Sequence, residues 1–117
     1  MSLRFVFKTA RVASAIVPVI IALEKSRRRR KYYENIGQLA RRYHLMLIPN
    51  GNQADIDFVR TIIAESDKMQ MPLTKLNRWL GYIQGLVIRD GLTSVQRERD
   101  YSRPLLRPLD YPNSRNT

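Results

Sequence analysis

The residues of this chain best suited to chemistry are cations. Lys25, Arg27, Arg28, Arg29, Arg30 and Lys31 run directly into Tyr32 and Tyr33, and Arg41 and Arg42 follow. Guanidinium groups bind phosphates and phenol rings stack on bases, so this combination suits contact with RNA, single-stranded DNA or another polyanion. The plainer readings are a solvated charged helix face or the basic flank of a membrane anchor. The overall charge of +11 is uneven: residues 1–42 hold eleven Lys and Arg against Glu24 and Glu34, whereas residues 43–117 hold ten against eight acids. The positive field therefore belongs to the first third of the chain.

Other chemistries find little support. The chain has no cysteine and one histidine, His44, which removes disulfide frameworks, thiol nucleophiles, zinc–thiolate sites and imidazole clusters. Asp55 and Asp57 lie two apart, a spacing that puts them on different faces of a helix and so gives no carboxylate pair for a metal. No nucleophile–base pair is recognisable. Gly81 and Gly85 do not form a phosphate-cradling loop. The reading is of a non-enzymatic protein with no catalytic residue, no metal and no cofactor.

The elements that must position these residues follow from hydrophobic spacing, and at 117 residues they make one domain. The centre of the core is placed at residues 73–90, where Leu73, Leu76, Trp79, Leu80, Ile83, Leu86 and Val87 form an apolar stripe between Pro72 and Gly91. Gly81 and Gly85 on one face suggest a second helix packed closely there, with a ligand groove as the lesser alternative. Two more helices are expected at residues 27–47, carrying Tyr33, Ile36, Leu39, Ala40, Tyr43 and Leu47, and 54–67, carrying Ile56, Val59, Ile62 and Ile63. The turn Pro49–Asn52 separates them, with Asn52 or Asp55 as the cap. Thr93 and Gln96 have the spacing of a capping box for a short helix at 94–101, with Val95 inward and the alternating charges Arg97–Asp100 exposed. The prolines at 104, 108 and 112 predict an extended tail, pinned by Leu105, Leu106 and Leu109. The fold class is all-α: a bundle of three main helices, a short fourth one, an apolar N-terminal helix and a tail. The corresponding divisions are 1–24, 25–103 and 104–117.

The apolar run Val12–Leu23 has several readings. As a helix it is about 18 Å long, short of a hydrocarbon core of roughly 30 Å, and Pro18 sits inside it. A secretory signal fits poorly with the basic cluster that follows, while Arg4, Lys8 and Arg11 give the composition of a mitochondrial-type presequence. The remaining reading is a helix apolar on both sides, whose surplus surface meets a partner chain, a second copy or an anionic membrane surface.

Between residues 75 and 104 the chain resembles small uncharacterised proteins of tailed bacteriophages and prophages. The residues that carry the resemblance are Arg78-Trp79-Leu80-Gly81-Tyr82-Ile83-Gln84-Gly85, then Gly91-Leu92, Glu98-Arg99-Asp100 and Arg103-Pro104. It implies no activity, and the apolar start lies outside it. It does imply a compartment, the cytoplasm of a bacterial host or its inner membrane; the basic first third supplies the expected partner, nucleic acid or a host or phage protein. Its polar members Arg78, Gln84, Arg99, Asp100 and Arg103 could meet at one surface. There they would either present a ligand site or fix the tail, through Arg78 or Arg103 on Asp100 and Gln84 on the tail backbone.

Overall fold

The computed structural model describes residues 3–110, with side chains from Ile16 onward. Within that span every element is a helix, so the chain is all-α: α1 Leu3–Asn50, α2 Gln53–Lys68, α3 Leu73–Arg89 and α4 Val95–Asp110. The side chains of Arg4, Lys8 and Arg11, the apolar side chains of residues 12–15 and the end of the tail at 111–117 lie outside the described side chains and residues.

The organiser of the fold is α1 rather than α3. Its face of Tyr33, Ile36, Leu39, Ala40, Tyr43 and Leu47 is buried, and it packs against each of the other three helices. At about 1.5 Å per residue, its 48 residues set the longest dimension of a molecule measuring 71 × 32 × 18 Å. The expected break between an apolar helix and a basic one is absent. Helix formers from Leu23 to Lys31 carry the backbone straight through, and Pro18 interrupts one ladder bond without ending the helix. Pro49 likewise lies inside α1, which ends at Gly51, where a Cβ would stand 3.0 Å from the Leu47 carbonyl.

α2 begins as its cap predicts, the Asn52 Oδ1 accepting from the Asp55 backbone N–H at 2.9 Å. Ile56, Val59 and Ile62 are buried on α1, and Ile63 is only partly covered. Ser66 is buried in α2 and faces Gly37, where an added Cβ would meet the Ser66 Oγ at 2.9 Å. The close approach of two helices therefore occurs at Gly37. Gly81 and Gly85 are exposed, with no described atom within 4 Å of an added Cβ, so no helix among the described residues covers that face.

α3 buries Leu76, Leu80, Ile83, Leu86 and Val87 as its spacing requires. It stops at Gly91 (φ +74°), where Leu92 N–H reaches the Val87 carbonyl and Gly91 N–H that of Ile88, a left-handed cap of the Schellman type. Trp79 is half-buried at the core's margin, its ring 5.3 Å from that of Phe58 with the Lys75 ammonium over it. It is therefore not one of the fully buried members of the stripe in which its spacing placed it.

α4 departs furthest from expectation. It is capped by Ser94, whose Oγ accepts from Arg97 N–H at 3.1 Å, and Val95 is exposed. The helix also continues to Asp110 through Pro104 and Pro108, where an extended tail was expected. Each internal proline removes a ladder bond at a cost of about 3 kcal/mol. The loss is offset from outside: Leu105 and Leu106 pack on the core, and the buried Asn35 amide donates to the Leu105 carbonyl at 2.7 Å.

Candidate polyanion-binding surface

The expected phosphate-binding residues divide into two groups. Lys25, Arg27, Arg28 and Arg30 are exposed on α1 just before it enters the bundle. Among the described residues none of these four has a side-chain hydrogen bond or a carboxylate within 4.0 Å. Lys31 is also exposed, with Glu34 at 3.7 Å, a contact that water screens. Arg29 is turned along the helix, its Nη2 donating to the Tyr33 hydroxyl at 3.2 Å and its guanidinium 5.7 Å from that ring.

The remaining candidates are engaged inside the protein. Tyr33 is 1% exposed and its hydroxyl donates to the Met71 carbonyl, so its ring has no open face for a base. Tyr32 is half-buried, its hydroxyl accepting from the Asn77 amide at 2.7 Å; burial, with the Asp110 charge nearby, pushes its pKa up. Arg41 reaches both oxygens of Asp67 at 3.0 Å on the surface. Arg42 points inward.

Arg42 belongs to a buried polar cluster that joins three helices and that the alternating charges of residues 97–100 did not signal. Its Nη2 lies 3.0 Å from Oε2 of Glu98, a residue only 1% exposed although it stands in the charge run expected to face water. Thr93 Oγ1 donates to the same oxygen at 2.6 Å, and the Arg42 guanidinium stacks 4.2 Å from the centre of the Tyr101 ring. Gln84 donates to the Tyr43 hydroxyl at 3.1 Å at the edge of this cluster. Burial by itself would raise the Glu98 pKa, yet the hydrogen bonds from Arg42, Thr93 and Tyr43 outweigh it and hold the carboxyl below its ordinary value. The same hydrogen bond raises Arg42, while burial beside the Glu98 charge raises Tyr43 strongly. A register signal for Glu98 did exist: Glu98, Tyr101 and Leu105 are spaced i, i+3, i+7, the rhythm of an inward stripe.

Among the described residues no hydrogen bond or ion pair joins the polar residues of the phage-like pattern to one another. Gln84 bonds Tyr43 rather than the tail backbone, Asp100 accepts from Gln96 at 2.9 Å rather than from an arginine, and Arg99 and Arg103 are exposed. Arg78 borders a shallow groove with Asp55, Phe58, Trp79 and Tyr82. All buried side-chain polar atoms among the described residues have partners, and no three His, Cys, Asp or Glu residues among them stand close enough to hold a metal.

Toward the N-terminus from the exposed cations, α1 carries Ile16, Val17, Val19, Ile20, Ile21 and Leu23, each between 43% and 60% exposed. No described helix is long and apolar enough to cross a membrane. No known family model, curated protein or solved structure matches the chain.

Proposed function

We propose that this chain is a small non-enzymatic accessory protein, of the kind its phage-like pattern suggests, that binds a phosphate-bearing polyanion through Lys25, Arg27, Arg28 and Arg30. The observation that carries this reading is their shared exposure without acidic partners among the described residues, whereas the other arginines between residues 16 and 42, Arg29, Arg41 and Arg42, have side-chain hydrogen-bond partners. With Tyr33 buried and Tyr32 half-covered, the contact reads phosphate and charge rather than bases. On nucleic acid such binding is independent of sequence and strongly dependent on salt. Duplexes of unrelated sequence bound with equal affinity, falling steeply with salt, are the expected result. A preference for one sequence over a scrambled one by more than about tenfold, or about 1.4 kcal/mol, refutes it.

A second reading is favoured by the exposed apolar segment Ile16–Leu23 beside these cations: attachment to an anionic membrane surface, with the segment lying in the interface rather than crossing it. Either partner is compatible with the cytoplasm or inner membrane of a bacterial host.

A further inference from the structure

Resting on the reading of Lys25–Arg30 as a phosphate contact, we infer that the bound polyanion is an anionic phospholipid surface. Its headgroup would be seated in the cleft where the end of α4 approaches α1. This cleft, of about 670 Å³, has two unlike sides. One is cationic, with Lys25, Arg27, Arg28 and Lys31 against the single acid Glu24; the other is apolar, with Ile21 on α1 and Pro108 and Leu109 on α4. A free nucleic acid offers charge but no use for the apolar wall. An anionic lipid offers a phosphate for the first side and glycerol and acyl carbons for the second.

The continuation of α1 points to the same occupant. From the cleft the helix runs directly into Ile16–Leu23, whose six large apolar side chains point to different sides of the helix and are all exposed. A second copy of this chain is a poor cover for that segment. Residues 1–42 carry eleven cations against two acids, so two copies meeting along this helix bring like charge to like charge. An anionic bilayer has the opposite charge and an apolar interior, and so complements both features at once. The apolar run Val12–Leu23, about 18 Å long as a helix, is too short to span a hydrocarbon core of roughly 30 Å. It enters the acyl boundary while the arginines remain at headgroup depth.

The test is flotation of the full-length protein with phosphatidylcholine vesicles, with and without phosphatidylglycerol, beside binding to a short DNA duplex and competition by inorganic phosphate. The variants are Arg27→Gln with Arg28→Gln, Ile20→Asp with Ile21→Asp, and Leu45→Asp as an exposed apolar control elsewhere on α1. Ile20 and Ile21 are both 49% exposed, so their replacement spares the core, and circular dichroism checks that it does. Partition only onto the phosphatidylglycerol vesicles is expected, unaffected by millimolar phosphate. It should fall at least about tenfold in the isoleucine variant, from the loss of two buried apolar side chains, and in the arginine variant, but not in Leu45→Asp. Unchanged partition of the isoleucine variant overturns the lipid assignment and leaves the phosphate contact standing, as does binding to DNA alone. Failure of the wild-type protein to bind any anionic probe overturns both.

Discussion

Removing either member of the buried Arg42–Glu98 pair should destabilise the protein, but by unequal amounts. Glu98 is 1% exposed, and its Oε2 is shared by Arg42 at 3.0 Å and Thr93 at 2.6 Å, whereas the Arg42 side chain keeps 26% of its surface in water. Arg42→Ala therefore leaves a carboxylate buried without its cation, which costs about 3–5 kcal/mol. It also removes the guanidinium stacked on Tyr101, for roughly another 0.5–1 kcal/mol. Glu98→Ala leaves a guanidinium that can turn to solvent, so the loss is near that of charge-assisted hydrogen bonds, about 1.5–3 kcal/mol. Because α4 packs chiefly on α1, part of either loss should appear as local release of residues 95–110 before global unfolding. Urea denaturation of both variants gives the stabilities, and amide hydrogen exchange locates the opening. Equal destabilisation within about 0.5 kcal/mol, or exchange in α4 as slow as in the wild type, would refute this account of how α4 is held.

Other perturbations follow from the same geometry. Gly81→Ala and Gly85→Ala place a Cβ in open space on an exposed helix face, so each should stabilise by about 0.5–1 kcal/mol in thermal denaturation; destabilisation would mean that something covers that face in solution. Gly37→Ala should instead destabilise by about 1–3 kcal/mol, because its Cβ would stand 2.9 Å from both the buried Ser66 Oγ and the Arg41 Nη1, and a melting temperature equal to the wild type's would refute the close α1–α2 contact. The depressed Glu98 pKa contributes stability that is fully present above the ordinary carboxylate value, near pH 4.3, and is lost as pH falls through the lower folded value. The raised Tyr43 pKa has the opposite sign, its contribution being present below about pH 10 and lost above it. Stability measured against pH should decline at both ends, with the acid decline reduced in Glu98→Gln.

Sequence periodicity was sufficient for the helices that pack by apolar stripes. α2 and α3 lie within one residue of their expected limits, because caps, turns and spacing all point the same way there. It was insufficient where a distant partner compensates a local disadvantage. Pro104 and Pro108 read locally as a tail, and only Asn35, seventy positions away along the chain from Leu105, together with the apolar anchors Leu105 and Leu106, makes a helix tolerable there. Glu98 in a charge run reads as exposed unless Arg42 is known to reach it across 56 positions. The basic cluster was legible as a composition but not as a surface. Different parts of the bundle withdrew Tyr33, which bonds the Met71 carbonyl, and Arg42, which bonds Glu98 of α4, from the contact, leaving Lys25, Arg27, Arg28 and Arg30. Trp79 and the two exposed glycines show the converse error, residue types suited to close packing that lie at the margin of the core.

The claim that these cations form the contact is tested most directly by the salt dependence of binding to duplex DNA, compared between the wild type and Arg27→Gln/Arg28→Gln/Arg30→Gln. Arg29 is left in place because it hydrogen-bonds Tyr33. If each replaced arginine neutralises one phosphate, the log–log slope should flatten by about 2.7, at roughly 0.9 per phosphate. Helix content should stay unchanged, since glutamine is nearly as good a helix former. A slope unchanged by the triple replacement, in a protein that still binds and is still folded, would contradict the account and place the contact elsewhere on the molecule.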